Sequence, residues 1–305
     1  MSLLCHLNWL LPVSSVSWLI YALFKRSNRQ KYKDSFKDKV IFITGASSGL
    51  GEALTRVFHK FGAKLIIAAR NIEKLNVLRD ELVENYPEGY RPTPLELDLS
   101  KIDTIRQITK SAIDIHGNID IIINNAGISY RGAIISTDIN VYQNLMTVNY
   151  FGQIEVIKAI TEHFVTIGKG TIVGVGSVQS QISIPYRSAY SASKHAFQAF
   201  MDCLRAELSS IQPGIDVLAV NPGYIRTNLS LNALSSDGSL YNKMDETTAL
   251  GMDPEIVANE IAAAIYQKKK ELFLSSVTHR LAIILRYLFP NLFFILMSKR
   301  AKKLT

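Results

Sequence analysis

The chain has 305 residues, 48% hydrophobic and 20% charged, a size and composition ordinary for a globular protein with one large α/β domain or two smaller ones. Its net charge of +8 belongs to the flanks: residues 25–39 carry +5, residues 298–305 carry +4 and the rest sums to −1, which argues against nucleic acid as a partner and for an anionic membrane surface. The two cysteines, Cys5 and Cys203, are too few for a disulfide framework and suit a reducing compartment.

Met1 to Phe24 holds no charged residue, and about 20 apolar residues suffice to cross a bilayer. His6, Asn8, Pro12 and four serines interrupt the stretch, so a spanning and an embedded anchor both fit. The basic run "KRSNRQKYKDSFKDK" (residues 25–39) follows the apolar stretch instead of preceding it, and no small-residue cleavage pattern is evident. The expectation is a retained anchor over 1–24, a basic juxtamembrane segment over 25–39, and a main domain on the cytosolic side.

Beyond it, short β-branched runs alternate with helical patterns. "VIFIT" (40–44), "KLIIAA" (64–69), "PLEL" (94–97), "IDIIIN" (119–124), "TIVGVG" (171–176), "IDVLAV" (215–220) and "ELFLS" (271–275) read as strands. Helices are expected near 50–61, 71–85, 101–116, 138–166, 188–211 and 254–269. Near-continuous apolar strands separated by helices predict one α/β domain over 40–275: a doubly wound parallel sheet of about seven strands with helices on both faces and right-handed crossovers. Tyr224 to Met252 has no clear period and reads as a lid or substrate loop. The stretch 280–297, broken by Arg286 and Pro290, belongs to a basic C-terminal tail over 276–305, expected to lie in the membrane interface beside the N-terminal anchor.

"FITGASSGLGEAL" follows the first strand and opens the first helix. Gly45, Gly49 and Gly51 allow a sharp turn and close approach of a pyrophosphate to the helix N-terminus, with Thr44, Ser47 and Ser48 as added donors and Leu50 beside them. The fold is therefore expected to be Rossmann-type, with a dinucleotide on the loop. The second strand ends in Ala69 and Arg70, where an NAD site would carry a carboxylate for the ribose 2′-hydroxyl; a base in its place favours the 2′-phosphate of NADP(H) over NAD(H). Asp98 after the third strand is placed to meet the adenine ring, and Asn125, Ala126 and Gly127 after the fourth lie against the cofactor.

The chemistry is expected at "SAYSASKHA" (188–196). Tyr190 and Lys194 lie at i and i+4 on one helical face, and the small residues around them let something flat approach the backbone. Ser177 ends the fifth strand, thirteen residues before Tyr190. A free phenol has a pKa of about 10, too high for ready proton exchange, and Lys194 with the oxidised nicotinamide's positive charge would lower it. Tyr190 then serves as the acid that protonates an alkoxide, Ser177 holds the carbonyl oxygen, Lys194 also clamps the nicotinamide ribose, and Asn149 completes a proton relay through water. No metal is called for. His195, beside Lys194, points elsewhere on the helix and takes no role.

These residues resemble the short-chain dehydrogenase/reductase family over about Lys39 to Ser275: T-G-x-x-x-G-x-G at Thr44 to Gly51, N-N-A-G at Asn124 to Gly127, and the set Asn149, Ser177, Tyr190, Lys194. In "NPGYIRT", the resemblance implies that Pro222, Gly223, Ile225 and Thr227 line the nicotinamide side. One departure is "GVGS" before the active serine, where relatives usually have Asn and Ser. Longer stretches, "NNAGISYRG" and "PGYIRTNLSLNAL" among them, resemble a membrane-bound branch of the family. That resemblance implies NADPH-dependent reduction of acyl- or alkyl-dihydroxyacetone phosphate, and a homo-oligomer built on the long helices. The terminal "KKLT" resembles a di-lysine signal for the endoplasmic reticulum membrane, with the peroxisomal membrane as the alternative.

Arg131, Arg187 and Arg226 each lie within a few residues of a site motif, and at least one is expected to meet a substrate phosphate while the lid and the membrane hold a lipid chain. A neutral retinoid or steroid is the alternative substrate. A cofactor-binding membrane scaffold with weak catalysis is the alternative from another class.

Overall fold

The protein's structure, a computed structural model, describes residues 31–304. The expected anchor and the first part of the basic segment lie outside the described residues. Among the described residues, no helix is long and apolar enough to cross a membrane.

The seven expected strands form one sheet: β1 (Val40–Thr44), β2 (Lys64–Ala69), β3 (Thr93–Glu96), β4 (Ile121–Asn124), β5 (Gly170–Val175), β6 (Ile215–Pro222) and β7 (Glu271–Leu274). All pairs are parallel, in the order β3-β2-β1-β4-β5-β6-β7. The inner strands are apolar nearly throughout because both faces are covered, while the edge strands β3 and β7 are partly exposed. In β1, Ile41 and Ile43 feed one core while Val40 and Phe42 feed the other.

One face carries α1 (Gly49–Lys60), α2 (Ile72–Asn85) and α8 (Pro254–Tyr266); the other carries α3 (Ile102–His116), α5 (Gly152–Ile167) and α6 (Ser188–Ile211). The helix expected over 138–166 is interrupted. Helix α4 (Ile139–Met146) passes into α5 through a π-turn at Thr147–Phe151 that contains Asn149. The order reverses between β1 and β4, and chain segments leaving the carboxyl ends there open the crevice where such sheets bind ligands.

Residues 31–39 pack at the opposite end. Tyr32 and Phe36 join Phe58, Phe61 and Tyr266 in an aromatic cluster, and Lys39 pairs with Asp120 at the start of β4. The lid segment holds one short helix, α7 (Glu246–Ala249), and isolated bridges joining Ile225 to Met252 and Leu234 to Tyr130 and Leu240. The C-terminal stretch forms two helices, α9 (Val277–Leu288) and α10 (Pro290–Leu304), because Pro290 cannot continue α9 but is well suited to open α10. Leu281, Ile284, Leu288, Phe289, Phe294 and Ile295 on this hairpin are exposed.

Candidate active site

The first βα turn is shaped to receive an anion. Gly45 and Gly49 have φ of +68° and +58°, a region that L side chains rarely adopt. At Gly51 an added Cβ would come within 2.1 Å of the Gly45 carbonyl, so α1 seats against the turn only because no side chain is there. Ser48 is the N-cap of α1, yet its hydroxyl makes no capping bond, which leaves the helix N-terminus open toward the cavity that Ser47, Ser48, Gly49 and Leu50 line. This cradle fits a dinucleotide pyrophosphate.

Thr44 has a different part from the one expected. Its hydroxyl donates to Asn124 Oδ1 at 3.1 Å and accepts from the N–H groups of Asn125 and Ala126 at 3.0 and 3.1 Å. Its one proton is thus engaged within the protein, and it ties β1 to the 124–127 turn instead of donating to a phosphate. At the far end of the cavity, Arg70 has no ion-pair partner among the described residues, and neither has Lys74, two residues into α2, which sequence reasoning missed. The available signal was a cation in the first turn of a helix, where the dipole favours acids. Asp98 lines the same end while one of its oxygens accepts from Ser100 N–H and Oγ.

At the other end the expected set comes together. Ser177 caps a short turn at Val178–Ser180, accepts from Gln179 N–H at 3.1 Å, and lines the cavity together with Tyr190. One turn on, Lys194 Nζ lies 5.9 Å from the Tyr190 ring centroid and donates to the Val175 carbonyl at 3.0 Å. The serines of "SAYSASK" bury without penalty because each is bonded: Ser191 Oγ donates to Gln179 Oε1, and Ser193 Oγ donates to the Tyr190 carbonyl. Asn149 is clamped to both polar groups of Ile128 and donates to Ser193 Oγ. A Cβ on Gly127 would sit 3.1 Å from Asn149 Oδ1 and 3.6 Å from Lys194 Nζ, so amide and ammonium border one small space.

The "GVGS" departure has a physical cause. A Cβ on Gly176 would meet Asn221 Oδ1 at 2.5 Å and Ser180 Oγ at 2.9 Å. Asn221, fully buried at the end of β6, accepts from Ser177 N–H at 3.2 Å and donates to Gln198 and Glu271. It fills the space a side chain at 176 would occupy and holds the Ser177 backbone; nothing in the sequence around it marks this role.

Burial dominates the electrostatics. It pushes the Tyr190 phenol above its usual value, opposed by the Ser177 side chain and by the positive charges of Arg131 and Arg187. It pulls Lys194 down to about 8. The lowering of Tyr190 expected from Lys194 is therefore not supplied by the protein's own groups, because desolvation of the phenolate outweighs the nearby cations.

Arg70, Lys74, Asp98, Ser177, Tyr190 and Lys194 line a single cavity of about 710 Å³, which also takes in Asn125, Ala126, Gly127, Pro222, Gly223, Ile225, Thr227, Arg131 and the lid residues Tyr224, Leu229, Leu234 and Leu240, whereas Asn149 is fully buried and does not line it. Arg187 lies behind its wall. Arg226 does not reach it: the side chain is exposed and pairs with Asp253 at 2.6 Å. His195 turns away, its Nδ1 beside the Ser191 carbonyl, and lines a separate groove under α10.

A doubly wound parallel sheet with an anion-binding turn at one end of its crevice and serine, tyrosine and lysine at the other defines an oxidoreductase acting on CH–OH or C=O groups. The short chain dehydrogenase family matches residues 39–237, and the chain belongs to that family. It is 44% identical over 297 residues to the dehydrogenase/reductase SDR family member 7B of Danio rerio, covering 96% of each chain. Among solved structures, a short-chain dehydrogenase/reductase of Burkholderia phymatum in complex with NAD superposes with a TM-score of 0.74 at 20% identity, covering 84% of this chain and 95% of that one. An alcohol dehydrogenase of Thermococcus sibiricus complexed with 5-hydroxy-NADP gives 0.68 at 24% identity, covering 79% and 97%. Both share the fold.

Proposed function

We propose that the protein is a membrane-held, NADP(H)-dependent oxidoreductase that interconverts a lipid-like ketone and its alcohol. The observation that carries this reading is one cavity with Arg70 and Lys74, without an ion-pair partner among the described residues, at one end and Ser177, Tyr190 and Lys194 at the other. With Ala69 where an NAD site would place a carboxylate, the two cations suit a ribose 2′-phosphate.

When bound, the nicotinamide supplies or accepts the hydride. The remaining work falls to the chain. Ser177 Oγ donates to the carbonyl oxygen and stabilises charge as it develops there. Tyr190 Oη gives its proton to that oxygen in reduction and takes it back in oxidation. Lys194 holds the nicotinamide ribose, and Asn149, across the small space beside Gly127, passes the replacing proton from water. Pro222, Gly223, Ile225 and Thr227 cover the nicotinamide side.

For the carbonyl compound, acyl- or alkyl-dihydroxyacetone phosphate is the reading supported by the family branch the sequence resembles, by the apolar lid residues and by Arg131 in the cavity wall. The membrane reading is supported by the uncharged stretch 1–24 and by the exposed apolar and basic residues of the α9–α10 hairpin. The terminal "KKLT" supports a reading in which the catalytic domain faces the cytosol at the endoplasmic reticulum. Exposed Phe151 at the end of the π-turn and Val165 on α5 suit contact with a second copy of the chain.

The test is oxidation of NADPH and NADH by the membrane-reconstituted protein with acyl-dihydroxyacetone phosphate and, separately, retinal. We expect NADPH-selective turnover of the phosphate ester and a loss of about 10³-fold or more in Tyr190→Phe. Turnover of retinal alone would discard the lipid-phosphate substrate, and tight NADPH binding with no turnover would favour a scaffold.

A further inference from the structure

Two arginines, one lining the cavity and one behind it, meet on one oxygen, and the lid supplies that oxygen. Arg131 arrives from the segment after β4, Arg187 from the N-cap of α6, and Asp245 from the lid. Arg131 donates from Nε and Nη2 to Asp245 Oδ2 at 2.7 and 2.5 Å, and Arg187 Nη2 donates to the same oxygen at 3.1 Å. The three side chains are only 7%, 14% and 14% exposed, so the cluster carries a net charge of +1 largely out of water. An excess buried charge is costly, and one carboxylate oxygen shared by two guanidiniums leaves their fork geometry poorly used.

Two further observations indicate that the crowding is not incidental. Asp245 is the N-cap of α7 but makes no capping bond, so it forgoes the usual local use of an aspartate at that position. Tyr186, directly before Arg187, has φ +61°, a strained backbone for a tyrosine, and its carbonyl accepts from Arg187 Nη1 at 3.1 Å and from Gly132 N–H at 3.2 Å. Arg187 is thus held beside Arg131 by the Tyr186 carbonyl at Nη1 and by Asp245 at Nη2. Burial, reinforced by Arg131, pulls the Arg187 pKa down to about 10. A dianion with three terminal oxygens satisfies two guanidiniums better than one carboxylate oxygen does.

We infer that Arg131 and Arg187 form a subsite for a phosphate-class anion and that Asp245 is its built-in occupant, displaced with the lid when such a group enters. Arg131 borders the cavity that holds Tyr190, so the anion and the reacting carbonyl belong to one ligand. That last link rests on the oxidoreductase reading above; anion binding does not.

The experiment is a thermal-shift titration with inorganic phosphate, the protein being saturated with NADPH so that the turn at Gly45 is filled. Asp245→Asn is expected to bind phosphate about tenfold more tightly than the wild type, and the gain should vanish in Asp245→Asn/Arg131→Met. No gain, or a gain that survives in the double variant, overturns the subsite. If Asp245→Asn does not fold alone, its refolding yield with and without phosphate reads the same preference: rescue supports the subsite and its absence overturns it. In turnover, the ratio of kcat/KM for a phosphorylated ketone to that for its dephosphorylated form should rise in Asp245→Asn. Tighter phosphate binding without turnover of either ketone would sink the substrate reading and leave the subsite standing; turnover of both without tighter binding would do the reverse.

Discussion

Lys194 concentrates the conflict between stability and chemistry in one side chain. Its ammonium is 4% exposed with a single carbonyl as hydrogen-bond partner, and its pKa falls to about 8 from an unfolded value near 10.5. Below pH 8 both folded and unfolded forms are charged and the folded state bears the full desolvation cost; between about 8 and 10.5 the folded state sheds its proton first and the cost fades. Lys194→Met should therefore abolish turnover yet be more stable at pH 7 by roughly 1–3 kcal/mol, the gap to wild type narrowing as pH rises through that window. Thermal unfolding of both proteins from pH 7 to 10 checks it; a gap that stays constant would show that burial of the ammonium is not the cause. At the opposite end of the cavity, Arg70→Glu should lower NADPH affinity at least about tenfold with little effect on NADH, and Lys74→Glu should do so more weakly, as measured by fluorescence titration. Arg70 and Asp98 were legible because strand ends are easy to find. Lys74 was not, because its neighbourhood depends on how α2 turns against the cavity.

The elements follow the sequence pattern closely where apolar periodicity is strong. Helix α6 spans the expected 188–211, and all seven strands lie within a residue or two of their expected ends. Where side chains from distant elements compete for one space, periodicity is silent. The π-turn at Thr147–Phe151 lies inside a sequence that reads as one helix, and it aims Asn149 at Ile128 and Ser193. Gly176 is the sharper case. Restoring the serine that relatives usually carry, Gly176→Ser, should cost about 1–3 kcal/mol and reduce kcat, since its Cβ would meet the Asn221 amide that holds Ser177. Pairing it with Asn221→Ala should recover part of the stability but not the rate; urea unfolding and steady-state kinetics on the three proteins decide between this and a site with room to spare.

At the scale of the molecule, the carboxyl ends of the strands carry the cavity, the lid and the α9–α10 hairpin together. Arg300 donates to the Tyr224 hydroxyl at 3.1 Å and His279 lies against the Tyr224 ring, so the hairpin touches a residue of the cavity wall directly. If the hairpin meets the bilayer, an environment-sensitive dye at Phe294→Cys should shift to the blue with anionic vesicles, while one at Val77→Cys, exposed on α2, should not; both are placed in a chain whose two cysteines are serine. Equal responses would remove the hairpin as the contact. The sequence alone determined the sheet, its parallel pairing, the anion-binding turn and the identity of the serine, tyrosine and lysine, because each is written in local periodicity or short spacing. Only the tertiary structure decided which cations are free and which are neutralised. It left Arg70 and Lys74 without ion-pair partners among the described residues, sent Arg226 to Asp253 on the surface, and gathered Arg131 and Arg187 onto Asp245, more than 50 residues away from either. Charge compensation acts through space at a few ångströms, so no local pattern in the chain records it.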